Sequence, residues 1–489
     1  MTTATESTRT TVPFPTLALA AAGLVGVTLG IALLTGVQVA VLAVVMLAAV
    51  LFAVAVLAWP DLATIAVVVL IFSNAPVIGA QFHGLPYLAA ALVPALLLVP
   101  IVDRLIYGRE SMVLPPTLPF LLAFLLVEVL STLLSRDPAA ASAELWRVVS
   151  EGAILYLLVV NAVRTVPVLR HAAAAVVATA AILAALSTVQ LVAAPDETFF
   201  GFAQVEGLGF DPGTDGDLQQ RASGPIGEKN FYAQMLLAAL PLAVAFVRVD
   251  RGATRLLAAA AAILIAAGVV LTFSRGAAVA AMVLLLAALA LRIVRGRVVV
   301  GLALAAVLVT ALVPSYAARL ATLTGVGGAL EVTEDVDPVI AQRANDVLAA
   351  TAAFADHPVL GVGPGLFAAT YREYATRVAG LPGDLDYAAH NLYLEIASET
   401  GLLGLAAFGG LVTTTLIALV RARRSAAHDA RLAAFADAFI LVVISYLATG
   451  LFLHISYQRY VWLFLALSIA GAMAIRRSID EVAFRAGRA

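Results

Sequence analysis

Residues 252–294 read GATRLLAAAAAILIAAGVVLTFSRGAAVAAMVLLLAALALRIV. Two apolar runs, 254–273 and 276–293, stand end to end, parted only at Ser274-Arg275-Gly276. A helix of about 20 apolar residues crosses a bilayer, and a helix satisfies its own backbone in lipid. Two such runs with no room for a soluble loop between them read as adjacent transmembrane helices. An arginine at their junction must snorkel to the headgroups or pair with something.

Working outward, apolar runs recur at 14–35, 38–58, 61–79, 86–103, 117–135, 145–162, 168–192, 229–248, 254–273, 276–293, 298–315, 398–420, 432–450 and 456–475. The composition agrees: 62% of the 489 residues are hydrophobic and 12% charged, against about 25% charged in soluble domains. The expected fold is an all-α, polytopic transmembrane helical bundle of about 12–14 spans. The polar first dozen residues lack the pattern of a cleaved signal peptide, so Pro13 onward reads as a first span. The absence of cysteine excludes disulfides, thiolate metal sites and cysteine nucleophiles. Nothing in the chain reads as a nucleic-acid-binding motif.

Arginine placement sets the expected orientation. The connections 103–116, 163–170, 248–255, 292–297 and 421–431, with Arg9 and the tail from Arg476, hold 19 of the 29 basic residues. All fall on one side if both termini are cytoplasmic. The chain then reads as a multi-pass protein of the cytoplasmic (inner) membrane. Its segments are 1–192 (N-terminal spans), 193–228 (outer loop), 229–315 (central spans), 316–397 (long outer loop), 398–475 (C-terminal spans) and 476–489 (cytoplasmic tail). The two outer connections exceed turn length, and loops of more than about 15 residues are functional or disordered. Helical patterns near 340–356 and 365–378 make the second a partly helical extracytoplasmic cap.

Ten basic residues remain on the outer side, among them Arg221, Lys229, Arg275, Arg343 and Arg459. They pair with local acids and headgroups, or they meet an anionic substrate. The stretch His390-Asn391-Leu392-Tyr393-Leu394-Glu395-Ile396-Ala397-Ser398-Glu399-Thr400-Gly401-Leu402-Leu403-Gly404 opens a span. Ionisable residues so near a membrane interior cost about 2.5–3.5 kcal/mol each at the helix centre. His390, Glu395 and Glu399 within so short a stretch therefore suggest a site. Glu395 and Glu399 either orient His390 or hydrogen-bond within the bundle. Upstream lie Arg343 and His357-Pro358-Val359-Leu360-Gly361-Val362-Gly363-Pro364-Gly365, whose glycines allow close backbone approach. Arg221-Ala222-Ser223-Gly224-Pro225-Ile226-Gly227-Glu228-Lys229-Asn230 enters another span. Arg459 completes the basic site or anchors its helix. Arg147, one turn before Glu151, reads as half of a structural ion pair.

These motifs, in this order, resemble the O-antigen ligase and O-antigen polymerase superfamily. The matching features are Arg343, the His357-Pro358-x-Leu360-Gly361-Val362-Gly363-x-Gly365 segment, and His390-Asn391 through Glu399-x-Gly401-x-x-Gly404. The Arg221–Asn230 and Ser274-Arg275-Gly276 segments are similar in kind and order. The resemblance covers roughly 215–470. It implies a GT-C-like, inverting, metal-independent glycosyltransferase with no cofactor. Such an enzyme takes a polyprenyl-pyrophosphate-linked glycan as donor and an envelope glycan as acceptor, working on the extracytoplasmic face. Carried over by motif, the catalytic residues are Arg221, Arg343 and His390, with Arg275 less secure.

The chemistry is compatible with that implication. Guanidinium binds phosphate bidentately, and His390 either accepts the acceptor hydroxyl's proton or, protonated, holds phosphate. Lys229, Arg275, Arg459, Glu395, Glu399 and Gly363 are expected to contact the pyrophosphate or the acceptor. The motifs do not separate ligase from polymerase; a polymer-joining role is slightly favoured. The alternative from another class is a multi-span transporter of a small solute. Against it stand the absence of a detectable repeat between the two halves and the gathering of ionisable residues at one face.

Overall fold

The computed structural model describes residues 50–86, 93–206, 220–297, 301, 304, 338–379 and 388–486. The expected span at 14–35, most of 38–58 and nearly all of 298–315 lie outside the described residues. The described part is an all-α bundle. Its helices are α1 (Asp61–Phe72), α2 (Ala75–His83), α3 (Leu98–Ile106), α4 (Leu118–Leu134), α5 (Pro138–Arg147), α6 (Leu155–Ala162), α7 (Val166–Ala193), α8 (Lys229–Val249), α9 (Gly252–Leu271), α10 (Arg275–Ala290), α11 (Pro338–Asp356), α12 (Phe367–Ala379), α13 (Leu392–Ser425), α14 (Ala430–Thr449) and α15 (Arg459–Ala486). A two-residue hairpin, β1 (Val205–Glu206) against β2 (Arg221–Ala222), is antiparallel with Glu206 opposite Arg221.

Six described helices are long and apolar enough to cross a membrane: α7, α8, α9, α13, α14 and α15. The expected span at 61–79 falls on the bent pair α1 and α2, turned by 54°. Asn74 makes the corner in the left-handed region, at φ 58°, and Pro76 opens the second helix, where proline's missing N–H costs nothing. The apolar helices α4 and α10 are shorter. Between α5 and α6 the chain takes a π-helical turn, Val148–Ile154.

The main core is made by α7, α8, α14 and α15 with α1, α4, α6 and α13 around them. In α14, 78% of the apolar window is buried, against 17% in α9. Thus α14 sits inside the bundle, while α9 turns Leu256, Leu257 and Ile263 outward to where lipid would lie. A second, separate core joins α11 and α12: Ala349, Ala350, Ala353, Phe367, Tyr371 and Tyr374 close on Ala141 of α5 and Ala389. This is the helical cap read from the 340–378 pattern.

One end of the bundle gathers many of the arginines assigned to one side by charge. Arg104 meets Asp61 at 2.9 Å, Arg164 meets Glu110 at 3.0 Å, and Arg170 meets Asp250 at 2.6 Å. Asp437, buried two turns into α14, takes both Arg248 and Arg423. The cap, the β-hairpin and the junctions at 272–274 and 450–458 lie at the opposite end.

Candidate active site

The site grows from the beginning of α13. Asn391 caps this helix, its side-chain oxygen accepting from the amides of Tyr393 and Leu394, each at 3.0 Å. The Leu392 amide donates to Gly450 O at 2.7 Å and the Tyr393 hydroxyl to Leu447 O at 2.8 Å. The helix start is thereby fixed to the end of α14. His390, just ahead of the cap, has φ 45°, unusual for a residue with a side chain.

The His390 ring is flanked on two sides. His454, from the α14–α15 connection, stands edge-on with ring centroids 5.2 Å apart, and His454 in turn packs against Phe231 of α8 at 5.3 Å. Asp346 of α11 lies 3.9 Å from His390 Nε2. Arg343, one helical turn before Asp346, comes to the site on the same helix. The sequence reading missed Asp346. Its signal was its place three residues after Arg343 on a helical pattern, but only the fold shows which residue it faces.

The Gly/Pro segment and the Glu pair act together. Helix α13 is broken at Gly401, with φ 68° and ψ −165°. Residues 358–363 dock into this break: Val362 N donates to Ser398 O at 2.8 Å, Gly363 N to Glu399 O at 3.0 Å, and Leu402 N to Pro358 O at 2.8 Å. A Cβ on Gly361 would lie 2.2 Å from the Glu399 carbonyl carbon, and one on Gly401 2.2 Å from that of Val359. Only two glycines let these backbones approach so closely. Ser131 of α4 closes the joint by donating to Leu360 O at 2.6 Å. Gly363 faces Ser135, whose Cβ would stand 2.6 Å from an added side-chain carbon.

Glu399 accepts from the amides of Gly365, at 3.0 Å, and Phe367, at 3.4 Å, and from the Tyr457 hydroxyl. Burial, and next the charge of Glu399, push the Tyr457 phenol well above its ordinary value, so it stays a donor. Glu395 accepts from Ser456 N at 3.0 Å. The two carboxylates therefore tie the cap and the α14–α15 connection to α13. Of the two roles left open by sequence, these contacts are the bundle-bonding one.

The cationic residues are arranged around this core. Arg459 donates to the Asn74 side chain at the α1–α2 corner, and Asn74 donates to Pro225 O at 2.8 Å. Arg459 thus joins the start of α15 to the segment that follows Arg221. Lys229 is ion-paired with Glu206, so its charge is met within the hairpin. Glu228 caps α8 through the Phe231 amide; burial raises its carboxyl above the usual range, against the pull of that amide bond. Arg275 opens α10 directly after Ser274, whose hydroxyl donates to Asn230 at 2.7 Å. A small cleft lies there, lined by Asn230, Ser274, Gly276, Thr449, Phe452 and Leu453, the last two leading to His454. Arg147 pairs with Glu144 at 3.0 Å rather than with Glu151. The π turn that starts at Val148 widens the helix and moves Glu151 out of the α-helical i,i+4 register. Among the described residues no cluster of His, Asp and Glu is disposed to hold a metal ion.

The chain is thus an all-α, multi-pass membrane protein with histidine, arginine and amide groups gathered at one end of its bundle. A family model described as O-antigen ligase matches residues 260–409. This match, over less than a third of the chain, supports the resemblance to the O-antigen ligase/polymerase superfamily read from the motifs. The match includes Arg275, Arg343, Gly363, His390, Glu395 and Glu399, and excludes Arg221, Lys229 and Arg459. No curated protein matches the chain. The match supports a glycan-transfer function of the O-antigen ligase/polymerase type.

Proposed function

We propose that this protein is a glycosyltransferase that moves a glycan from a polyprenyl-pyrophosphate donor to a sugar hydroxyl of a cell-envelope acceptor, inverting the anomeric centre without a metal ion. The reaction takes place at the end of the bundle that bears the cap, on the extracytoplasmic side of the cytoplasmic membrane. The observation that carries this reading is the meeting of His390, the Arg343 helix and the α14–α15 connection beside the Arg275 junction.

In this reading Arg343 and Arg221, with Arg275, bind the pyrophosphate, where guanidinium groups stabilise the charge that develops on the leaving group. His390 takes the proton of the acceptor hydroxyl, an effect typically worth about 10²–10⁴-fold. Arg459 adds positive potential at the entrance to α15. Lys229 acts with Glu206 in holding the hairpin. Glu395, Glu399 and Gly363 serve by position, keeping the cap seated on α13.

The test is incubation of the purified, liposome-reconstituted protein with a lipid-linked oligosaccharide. Longer lipid-linked glycan identifies a polymerase; glycan on a different acceptor identifies a ligase. No transfer of either kind, with solute uptake indifferent to His390→Ala, would favour a transporter instead.

A further inference from the structure

We propose that Asp346 is the positioning residue for His390, holding the imidazole with its proton on Nε2 so that Nδ1 receives the proton of the acceptor hydroxyl. This rests on the glycan-transfer reading above.

Asp346 is fully buried. A buried carboxylate is costly unless its oxygens are bonded. Oδ1 accepts from the Tyr371 hydroxyl at 2.6 Å and from Gln342 Nε2 at 3.0 Å. Those two groups also bond each other, Gln342 Nε2 donating to Tyr371 Oη at 2.9 Å. Gln342 stands one turn before Asp346 on α11, and Tyr371 comes from α12. The carboxylate is therefore clamped from two helices, and its other oxygen, Oδ2, is the atom 3.9 Å from His390 Nε2.

That distance is about 1 Å longer than an N–H···O bond. Catalytic hydrogen bonds are commonly long before substrate binds and shorten in the complex. The rest of the His390 environment restricts the ring. His454 packs on it edge-on at 5.2 Å, and its backbone is held at φ 45°. Strained backbone at a site is maintained only where the surroundings over-determine it.

A carboxylate beside one imidazole nitrogen fixes the tautomer and orients the other. The step then balances. The acceptor oxygen forms a bond to the anomeric carbon as its proton passes to Nδ1. The bond from that carbon to the pyrophosphate oxygen breaks, and its electron pair leaves with the polyprenyl pyrophosphate. The imidazolium so formed faces the Asp346 carboxylate, which stabilises it.

The test uses the full-length protein in liposomes with a polyprenyl-pyrophosphate-linked oligosaccharide and a matched acceptor. Asp346→Asn should lower kcat by about 10²-fold, within the range of general-base catalysis, with donor KM changed less than about twofold. Tyr371→Phe, which removes one clamp without touching His390, should lower kcat by about 10-fold on the same scale. In a His390→Ala background, Asp346→Asn should cause no further loss, because both act on one proton transfer. Full kcat in Asp346→Asn, or a loss that multiplies in the His390→Ala background, would overturn the assignment and leave the glycan-transfer reading standing. A wild-type protein that transfers no glycan would instead remove that reading, and this assignment with it.

Discussion

Replacing Gly401 by alanine tests how the cap is held over the site. Gly401 sits at φ 68° and ψ −165°, inside a 34-residue helix. That backbone region is essentially confined to glycine, and forcing another residue into it costs about 1–3 kcal/mol. The added Cβ would also lie 2.2 Å from the carbon and oxygen of Val359 and 2.5 Å from Leu360 N. Backbone cannot rotate away as a side chain can, so residues 358–363 must leave the break. They would lose the bonds from Val362 N, Gly363 N and Leu402 N. At about 0.5–1.5 kcal/mol each, these bring the total to about 2.5–7.5 kcal/mol.

The assay is thermal unfolding of purified protein in detergent, with limited proteolysis across 358–365. The control lies in the same helix: a Cβ on Gly409 meets nothing within 4 Å. Gly409→Ala should be neutral or stabilising by about 1 kcal/mol, the helix-propensity difference. Gly401→Ala should lower the melting temperature, open 358–365 to protease and reduce glycan transfer with it. If Gly401→Ala behaves like Gly409→Ala in all three, the interlock does not hold the cap.

Other outcomes follow from the same contacts. Ser131→Ala removes the one hydroxyl donor shared by Leu360 O and Glu399 O and should cost about 1–3 kcal/mol. Glu399→Gln offers an amide to the Gly365 and Phe367 amides and the Tyr457 hydroxyl, all donors; protease cleavage within 358–365 should rise. The hydrogen bond from Arg377 holds the Asp356 carboxyl below the usual aspartate range. With the folded value depressed, that link is present above the ordinary aspartate value and is lost as pH falls through the lowered one. Protection factors of the α12 amides, corrected for the intrinsic pH dependence of exchange, should therefore be flat from neutral pH down to that range, and Asp356→Asn should remove the acid-induced step below it.

The spans were the most legible part of the chain. The runs at 229–248 and 254–273 became α8 and α9 with nearly the same limits, because length and hydropathy alone determine a helix in lipid. The corner at Asn74 carried a signal in Pro76 that a hydropathy window averages away. The break at Gly401 carried little signal, since its cause is a segment some forty residues upstream. Arg147 was assigned the wrong acid because i,i+4 pairing presumes an α-helix, and the chain there is a π turn.

In the site, His390 and the glycine motif were readable as motifs, but their division of labour was not. Gly361 and Gly401 are needed for each other's backbone, a relation visible only once both are placed. Glu395 and Glu399 looked like site carboxylates because burial near a membrane is costly; their amide and hydroxyl partners come from distant segments. Asp346 drew no notice because a single aspartate on a helical face is ordinary until its neighbour is known.

In the proposed mechanism His390 and the arginines at the cap end carry out glycan transfer. The most direct measurement is the single-turnover rate of transfer from a lipid-linked oligosaccharide by the reconstituted protein and its His390→Ala, Arg343→Ala and Arg221→Ala variants. The wild type should transfer glycan, with the rate falling by about 10²-fold or more in each variant and folding intact. Undiminished transfer in all three would contradict that mechanism.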